Sequence, residues 1–239
     1  MTSPNKSGSS PSPVAVVCDF DGTATLRDIG DEITQHFGGL AHWEAQSARF
    51  RRGELDTRGI IEAIYDNLNA SESEVRAFAA REARLRPGFA ELVEAARARA
   101  APFILASGGL RQYIEAVLEA NLSPDLRRYI EVRANEGVFA ADGRAALRVT
   151  FPGEAASRAL GCDTCGSCKR VAVIELRRTG VRSIVGIGDG FADRCLARFA
   201  DRVFARRDSF LHRHCAEHGI AHEPFETLHA AASAVADMR

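Results

Sequence analysis

The 239-residue chain predicts an α/β fold: a parallel sheet with helices on both faces and a small helical insertion after the first strand. Short apolar runs at 14–18, 102–106, 183–187 and 202–205 read as strands buried on both faces. Amphipathic helical segments alternate with them. The long stretch 28–84, between the first two runs, carries helix signals and no strong strand.

Residues 1–13 are rich in Ser, Pro, Gly and Asn. They lack the charged start and long apolar stretch of a signal peptide and read as a disordered tail. The run 14–18 is the first strand. Residues 26–84 are the predicted cap, with helical pieces at 29–33, 41–51 and 57–67. Ser71, followed by Glu72 and Glu74, is an N-cap with acids in the first turn and opens a helix toward Arg84. Pro87-Gly88 stops that helix. A helix over 91–100 leads to the strand 102–106, which Ser107-Gly108-Gly109 ends, and a helix follows over 110–120. Residues 130–151 read as a β excursion with a hairpin turn at Asp142-Gly143. A helix over 169–178 precedes the strand 183–187, which ends at Gly188-Asp189-Gly190, and another helix begins near Ala192. The fourth strand and two amphipathic helices complete a core expected at 14–25 and 85–239.

A 46% apolar composition fills a core of this size, and a formal charge of -1 argues against a nucleic-acid or membrane surface. No apolar run is long enough to span a bilayer. A cytoplasmic location with reduced thiols is expected, and six cysteines are too few for a disulfide framework. A homodimer is left open.

The chemistry concentrates at strand ends. Asp19-Phe20-Asp21-Gly22-Thr23 follows the first strand and sets two carboxylates one residue apart, where open α/β sheets build their sites. Their mutual repulsion calls for a cation, and hard oxygen donors suit Mg2+. Ser107 follows the second strand, Lys169 opens a helix, and Asp189 and Asp193 follow the third strand. Each has a bland reading alone: a turn for Asp-x-Asp-Gly or Asp189-Gly190, an N-cap for Ser107, a solvated charge for Lys169, a first-turn helix acid for Asp193. A parallel sheet gathers them at one edge, and together they suit phosphoryl transfer. An aspartate attacks phosphorus, a second carboxylate moves the proton, and Mg2+ neutralises phosphate charge. A hydroxyl, glycine amides and an ammonium hold the phosphate.

The ordered set Asp19-Phe20-Asp21-Gly22-Thr23, Ser107-Gly108-Gly109, Lys169 and Gly188-Asp189-Gly190-Phe191-Ala192-Asp193 resembles the four motifs of the haloacid dehalogenase superfamily. The resemblance extends over nearly all of the chain after Pro13, and the helical insert is similar to the small cap of the phosphoserine-phosphatase-like branch. It implies a Rossmann-like core and a Mg2+-dependent phosphatase acting on a small phosphorylated metabolite. Asp19 would be the nucleophile and Asp21 the general acid/base. The metal would be bound by the Asp19 side chain, the Asp21 main-chain carbonyl and Asp189, with Asp193 in support. Ser107, Gly108 and Lys169 would bind phosphate. Asp28 falls where that branch has an acid contacting a substrate amine, so it would bind substrate or merely begin a cap helix. Phe151-Pro152, the run Cys162-Asp163-Thr164-Cys165-Gly166-Ser167-Cys168-Lys169, Phe204-Ala205-Arg206 and Pro224-Phe225-Glu226 resemble the methionine-salvage phosphatases, which act on a methylthio-substituted keto-pentenyl phosphate. Phosphoserine, phosphocholine, phosphoethanolamine and pyridoxal phosphate are alternative substrates. A different class remains: a metal- or redox-sensing binding protein on an inactive core.

Cys162, Cys165 and Cys168 have a spacing that suits zinc, but no fourth ligand is evident nearby. A redox role and a simple loop that positions Lys169 are the other readings. Cys18, Cys195 and Cys215 read as small core or helix residues. His212, His214, His218 and His222 read as a solvated helix. Trp43, Arg49 and Arg51 are the cap side chains expected to face substrate.

Overall fold

The computed structural model describes residues 13–140, 147–162 and 164–238. The predicted tail, apart from Pro13, and the Asp142-Gly143 turn lie outside them. Among the described residues one seven-stranded sheet forms from β1 (Val14–Cys18), β2 (Phe103–Leu110), β3 (Ile130–Val138), β4 (Arg148–Thr150), β5 (Ser183–Gly188), β6 (Arg202–Arg206) and β7 (Glu223–Phe225). The order is β4-β3-β2-β1-β5-β6-β7, and every neighbouring pair is parallel except β3–β4.

The central strand explains the layering. Val14, Val16 and Cys18 pack on one face with Phe89, Phe103, Leu105 and Val185, whereas Ala15 and Val17 pack on the other with Ala172, Val173, Leu176 and Leu196. Period-2 alternation within an all-apolar run thus feeds two helical layers. Register then sets the site: Cys18 lies beside Leu105 of β2 and Ile187 of β5. The carboxyl ends of β1, β2 and β5 are therefore level, and the polar residues after them meet.

The insertion consists of α1 (Ile29–Gly38), α2 (Leu40–Arg51), α3 (Thr57–Tyr65) and α4 (Glu72–Glu82). Local chemistry starts these helices. Asp28 caps α1 by accepting from the Asp31 amide at 2.8 Å, and Asp56 caps α3 by accepting from the Gly59 amide at 2.7 Å. Ser71 and Glu74 form the predicted reciprocal cap of α4. Ile33, Ile61, Ile64, Leu68, Val75 and Phe78 join the same buried cluster as the β1 face, so the insertion packs onto the sheet as one continuous core.

Further along lie α5 (Phe89–Ala98), α6 (Arg111–Asn121), α7 (Pro124–Tyr129), α8 (Glu154–Ala159), α9 (Lys169–Arg178), α10 (Arg194–Phe199), α11 (Phe210–Glu217) and α12 (His229–Asp237). Three expectations change. Residues 130–138 pair antiparallel with β4, as the β excursion expects, but are also a parallel member of the main sheet beside β2; with only β4 beyond it, this strand is partly exposed and reads as polar. Ser107-Gly108-Gly109 does not end β2, which continues to Leu110 through a register shift against β3. Near Ala192 a single 3-10 turn, Phe191–Asp193, comes before α10.

Arg86 closes the core beneath the site. It is 7% exposed and donates to the carbonyls of Thr23 at 2.7 Å, Gly22 at 2.7 Å and Thr25 at 3.1 Å, and to Glu226 at 3.0 Å. One guanidinium thus satisfies the turn after β1 and ties it to the C-terminal segment. Arg86→Met leaves these carbonyls unpaired and is expected to cost on the order of 3 kcal/mol, read as a lower urea midpoint. An unchanged midpoint would contradict this role.

Candidate active site

Level strand ends and the underside of the insertion enclose a cavity of about 270 Å³ lined by Asp19, Asp21, Asp28, Ser107, Lys169 and Asp189 among others. Lys169, 5% exposed, opens α9 and donates to both Asp19 Oδ1 and Asp193 Oδ1. Burial works against the ammonium, but the Asp19 and Asp193 carboxylates outweigh it and hold Lys169 well above the usual lysine range. Burial and the Asp193 charge push Asp19 upward, with Lys169 opposing them. Asp193 is fully occupied: its other oxygen accepts from the Asp189 amide at 3.0 Å and the Gly190 amide at 2.8 Å. Its place one turn past Asp189 lets it pin the loop and the lysine together.

Asp189 accepts from Thr23 Oγ1 at 3.0 Å and from the Arg206 guanidinium at 3.2 and 3.1 Å. Burial and then Asp193 raise its pKa, with Arg206 pulling the other way. Carboxylate oxygens of Asp19, Asp189 and Asp193 all lie within 4.8 Å of one another. Three carboxylates facing one lysine and one arginine leave surplus negative charge among hard oxygen donors, which is the environment a Mg2+ ion fits. Gly22 is at φ +70°, and a Cβ there would stand 2.7 Å from Asp189 Oδ2. Glycine is needed because the β1 turn runs directly against the acidic cluster.

Asp21 turns the other way. Its Oδ1 accepts from the first amides of α1, Ile29 at 3.0 Å and Gly30 at 3.2 Å, and its Oδ2 accepts from Tyr113 Oη at 2.5 Å. The side chain is therefore committed to the insertion and α6, leaving only its main-chain carbonyl for the metal role the resemblance implies. Burial raises its pKa from 3.8 to about 6, while the Tyr113 hydroxyl and the two amides restrain the rise. Tyr113 went unnoticed in the sequence. Its signal is two bare glycines: a Cβ on Gly109 would lie 1.7 Å from its hydroxyl and one on Gly30 2.9 Å away.

Ser107 Oγ is 3.5 Å from Asp21 Oδ2 and accepts from the Gly109 amide at 2.9 Å, so it caps a turn within β2 rather than a helix. Gly108 lines the cavity and its carbonyl accepts from Asn135 Nδ2 at 2.7 Å. Asp28 begins α1 as one of its two readings expects, and it also lines the cavity. Desolvation by the cavity wall, then the Asp21 and Asp31 charges, push its carboxyl upward, although by surface area the residue is exposed.

The expected cap contacts need correction. Trp43 does not line the cavity but donates its Nε1 to Asp31 at 2.8 Å, and Asp31 does line it. Arg49 pairs with Gln46 and Glu54 at the surface. Arg51 borders a separate groove of about 580 Å³ with Phe50, Leu55, Phe191 and Phe210. Besides Asp28, Gly30 and Asp31 at the start of α1, the insertion faces the site with Ile60, Ile61, Ile64 and Tyr65, because α3 rather than α2 lies over the strand ends. Phe191 borders both spaces.

Cys18 and Cys215 are buried and Cys195 is a partly buried residue of α10, as the core-or-helix reading expects. The rings of His214, half-buried on α11, and His218, exposed just after it, lie 4.1 Å apart in a tilted arrangement.

A family model described as haloacid dehalogenase-like hydrolase matches residues 16–198. The chain belongs to this family. It is 30% identical over 221 residues to the 2-hydroxy-3-keto-5-methylthiopentenyl-1-phosphate phosphatase of Geobacillus kaustophilus, covering 90% of this chain and 92% of that one. A HAD-family hydrolase from Salmonella enterica serovar Typhi superposes with a TM-score of 0.73 at 18% identity, over 96% of this chain and 73% of that one. A phospho-aspartyl intermediate analogue of phosphoserine phosphatase gives a TM-score of 0.63 at 17% identity, over 85% and 90% of the two chains. The fold is that of the haloacid dehalogenase-like hydrolases, and the enzyme is a phosphatase. No helix among the described residues is long and apolar enough to cross a membrane.

In this phosphatase Asp21 titrates near 6, above its ordinary 3.8. The folded chain therefore holds that proton more tightly than the unfolded chain. The stability this group contributes is present below pH 3.8 and lost as the pH rises through about 6. Tyr113→Phe removes a donor that favours the carboxylate and is expected to move the Asp21 midpoint higher, read by carboxyl 13C NMR. An unmoved or lowered midpoint would rule out that coupling.

Proposed function

We propose that this phosphatase hydrolyses a small phosphomonoester through an aspartyl-phosphate on Asp19, with Mg2+ as cofactor. The observation that carries the proposal is the Asp19–Lys169–Asp193 contact at the floor of a cavity that also holds Asp21, Ser107 and Asp189. In this reading the free Asp19 oxygen attacks phosphorus. Lys169, Ser107 and the amides around Gly108 hold the phosphate oxygens. Asp21 gives its proton to the departing alcohol, then takes one from the water that cleaves the acyl phosphate. A carboxyl near pH 6 is suited to both steps. Asp19, the Asp21 carbonyl and Asp189 would hold the Mg2+, with Asp193 fixing Lys169 and the loop. Bound there, the ion offsets the charge between phosphate and nucleophile. Residues 26–84 act as the cap over a core of 14–25 and 85–239, and α3 excludes bulk water.

For the substrate we propose the methylthio-substituted keto-pentenyl phosphate named for the Geobacillus relative. Its support on this chain is the aromatic groove of Phe50, Phe191 and Phe210, which shares Phe191 with the lining of the charged cavity and suits a thioether tail. A second reading has its own observation. Asp28 and Asp31 face the same cavity, and an ester bearing an amine, such as phosphoserine or phosphoethanolamine, would offer them a cation.

Turnover of a phosphate-ester panel containing both kinds of compound separates these readings. The highest kcat/KM on the methylthio compound is expected, and a strong preference for amine-bearing esters, lost in Asp28→Asn, would replace that assignment. Asp19→Asn is expected to lower kcat about a thousandfold or more with an unchanged circular dichroism spectrum, and EDTA to stop turnover until Mg2+ is restored. Full activity in Asp19→Asn would refute the nucleophile.

A further inference from the structure

Arg58 stands in the first turn of α3, where helix amides lack acceptors within the helix, and its amide donates to the Thr164 carbonyl at 2.8 Å. Its guanidinium lies over the Phe151 ring, 4.7 Å from the centroid, and pairs with Glu154 at the start of α8. Its Nε donates to Glu62, one turn along α3, at 3.0 Å. Arg158 of α8 shares the Glu154 carboxylate.

The three core partners of Arg58 belong to one stretch, 151–168, which ends at Lys169. Phe151 is buried and packs on the loop before the lysine, since a Cβ on Gly166 would run into its ring. On α8, three residues after Glu154, Ser157 Oγ accepts from the Cys168 amide at 2.8 Å, and the Ser157 carbonyl accepts from the Cys162 amide at 3.0 Å. Two short routes therefore join Arg58 to the residues before Lys169. One runs through Phe151 to Gly166, the other through Glu154 and α8 to Cys168. The same helix α3 covers the cavity with Ile60, Ile61 and Ile64.

We propose that Arg58 is a positioning residue that clasps α3 to the stretch delivering Lys169, so that a seated insertion and a placed lysine are one state. The proposal rests on the reading that Lys169 holds phosphate oxygens. Arg58 lines neither the cavity nor the aromatic groove, so it acts through others. A partly exposed ion pair alone contributes little, but here an amide, a ring and a carboxylate meet at one residue. Its effect falls on the phosphate end, which every ester shares, and not on the tail.

Hydrogen exchange of the full chain, read by peptide mass spectrometry, tests the clasp without turnover. In Arg58→Ala, peptides covering 151–169 are expected to exchange about threefold faster or more, with those of β1 and β5 unchanged. Unchanged exchange over 151–169, or an equal rise throughout the chain, would overturn the proposal. Kinetics is the second arm. In the same variant kcat/KM is expected to fall about fivefold, by one common factor for esters with unlike tails, and the inhibition constant of inorganic phosphate to rise in step. Glu154→Gln is expected to act in the same direction, and the double variant to lose less than the two losses combined, because both remove one contact. Tail-dependent losses, unchanged phosphate inhibition or full additivity would contradict the clasp. Should Arg58→Ala not fold, Glu154→Gln carries the same expectations. Inorganic phosphate that inhibits Lys169→Met as strongly as the wild type would instead refute the reading of Lys169, and the exchange arm still decides the clasp.

Discussion

A single buried ammonium organises this enzyme. Lys169 reaches the sheet edge from α9 and binds Asp19 from β1 and Asp193 from the loop after β5. Three elements distant in sequence are tied at one nitrogen. An unpaired lysine there would be costly, and unpaired aspartates equally so, so each charge depends on the others being in place. The remaining surplus of carboxylate is what makes a divalent cation a natural companion rather than an accessory.

The rest of the architecture serves that point. Level registers of β1, β2 and β5 bring Asp19, Ser107 and Asp189 to one edge. Arg86 secures the carbonyls of the β1 turn from below, and Asp193 secures the amides after β5 from the side. The insertion is coupled to the site directly, because the first amides of α1 bind the Asp21 carboxylate. Any movement of α1 therefore changes the hydrogen bonds that set Asp21's proton affinity, linking the position of the insertion to that affinity through one side chain.

Much of this was legible in the sequence. The run Val14–Cys18 was readable because a strand buried on both faces must be apolar throughout, and Asp19, Asp21, Lys169, Asp189 and Asp193 because charged groups beside such strands need a reason. Strand β3 was legible as one arm of a β excursion, whose antiparallel partner is β4, but its parallel place beside β2 was not, because it is partly exposed and lacks an all-apolar run. The helices α7 and α8, six residues each, are too short to establish periodicity. Tyr113 escaped notice, and Thr23 and Arg206 entered only as members of motifs with no role of their own, because their importance lies in what they touch. A tyrosine on an amphipathic helix looks like core until Asp21 is found against its hydroxyl. Cap contacts were the least legible. Trp43 and the arginines of α2 looked distinctive, while the cavity is faced by isoleucines of α3 that any amphipathic helix could carry.

The central claim is that this charge assembly makes Asp19 the group that accepts the phosphoryl. Borohydride added during steady-state turnover reduces an acyl phosphate and leaves homoserine in place of the aspartate that carried it, which peptide mass spectrometry locates. The account predicts homoserine at position 19 and at no other aspartate of the cavity. Its appearance at Asp21, Asp189 or Asp193, or an unmodified Asp19 after trapping under active turnover, would contradict it.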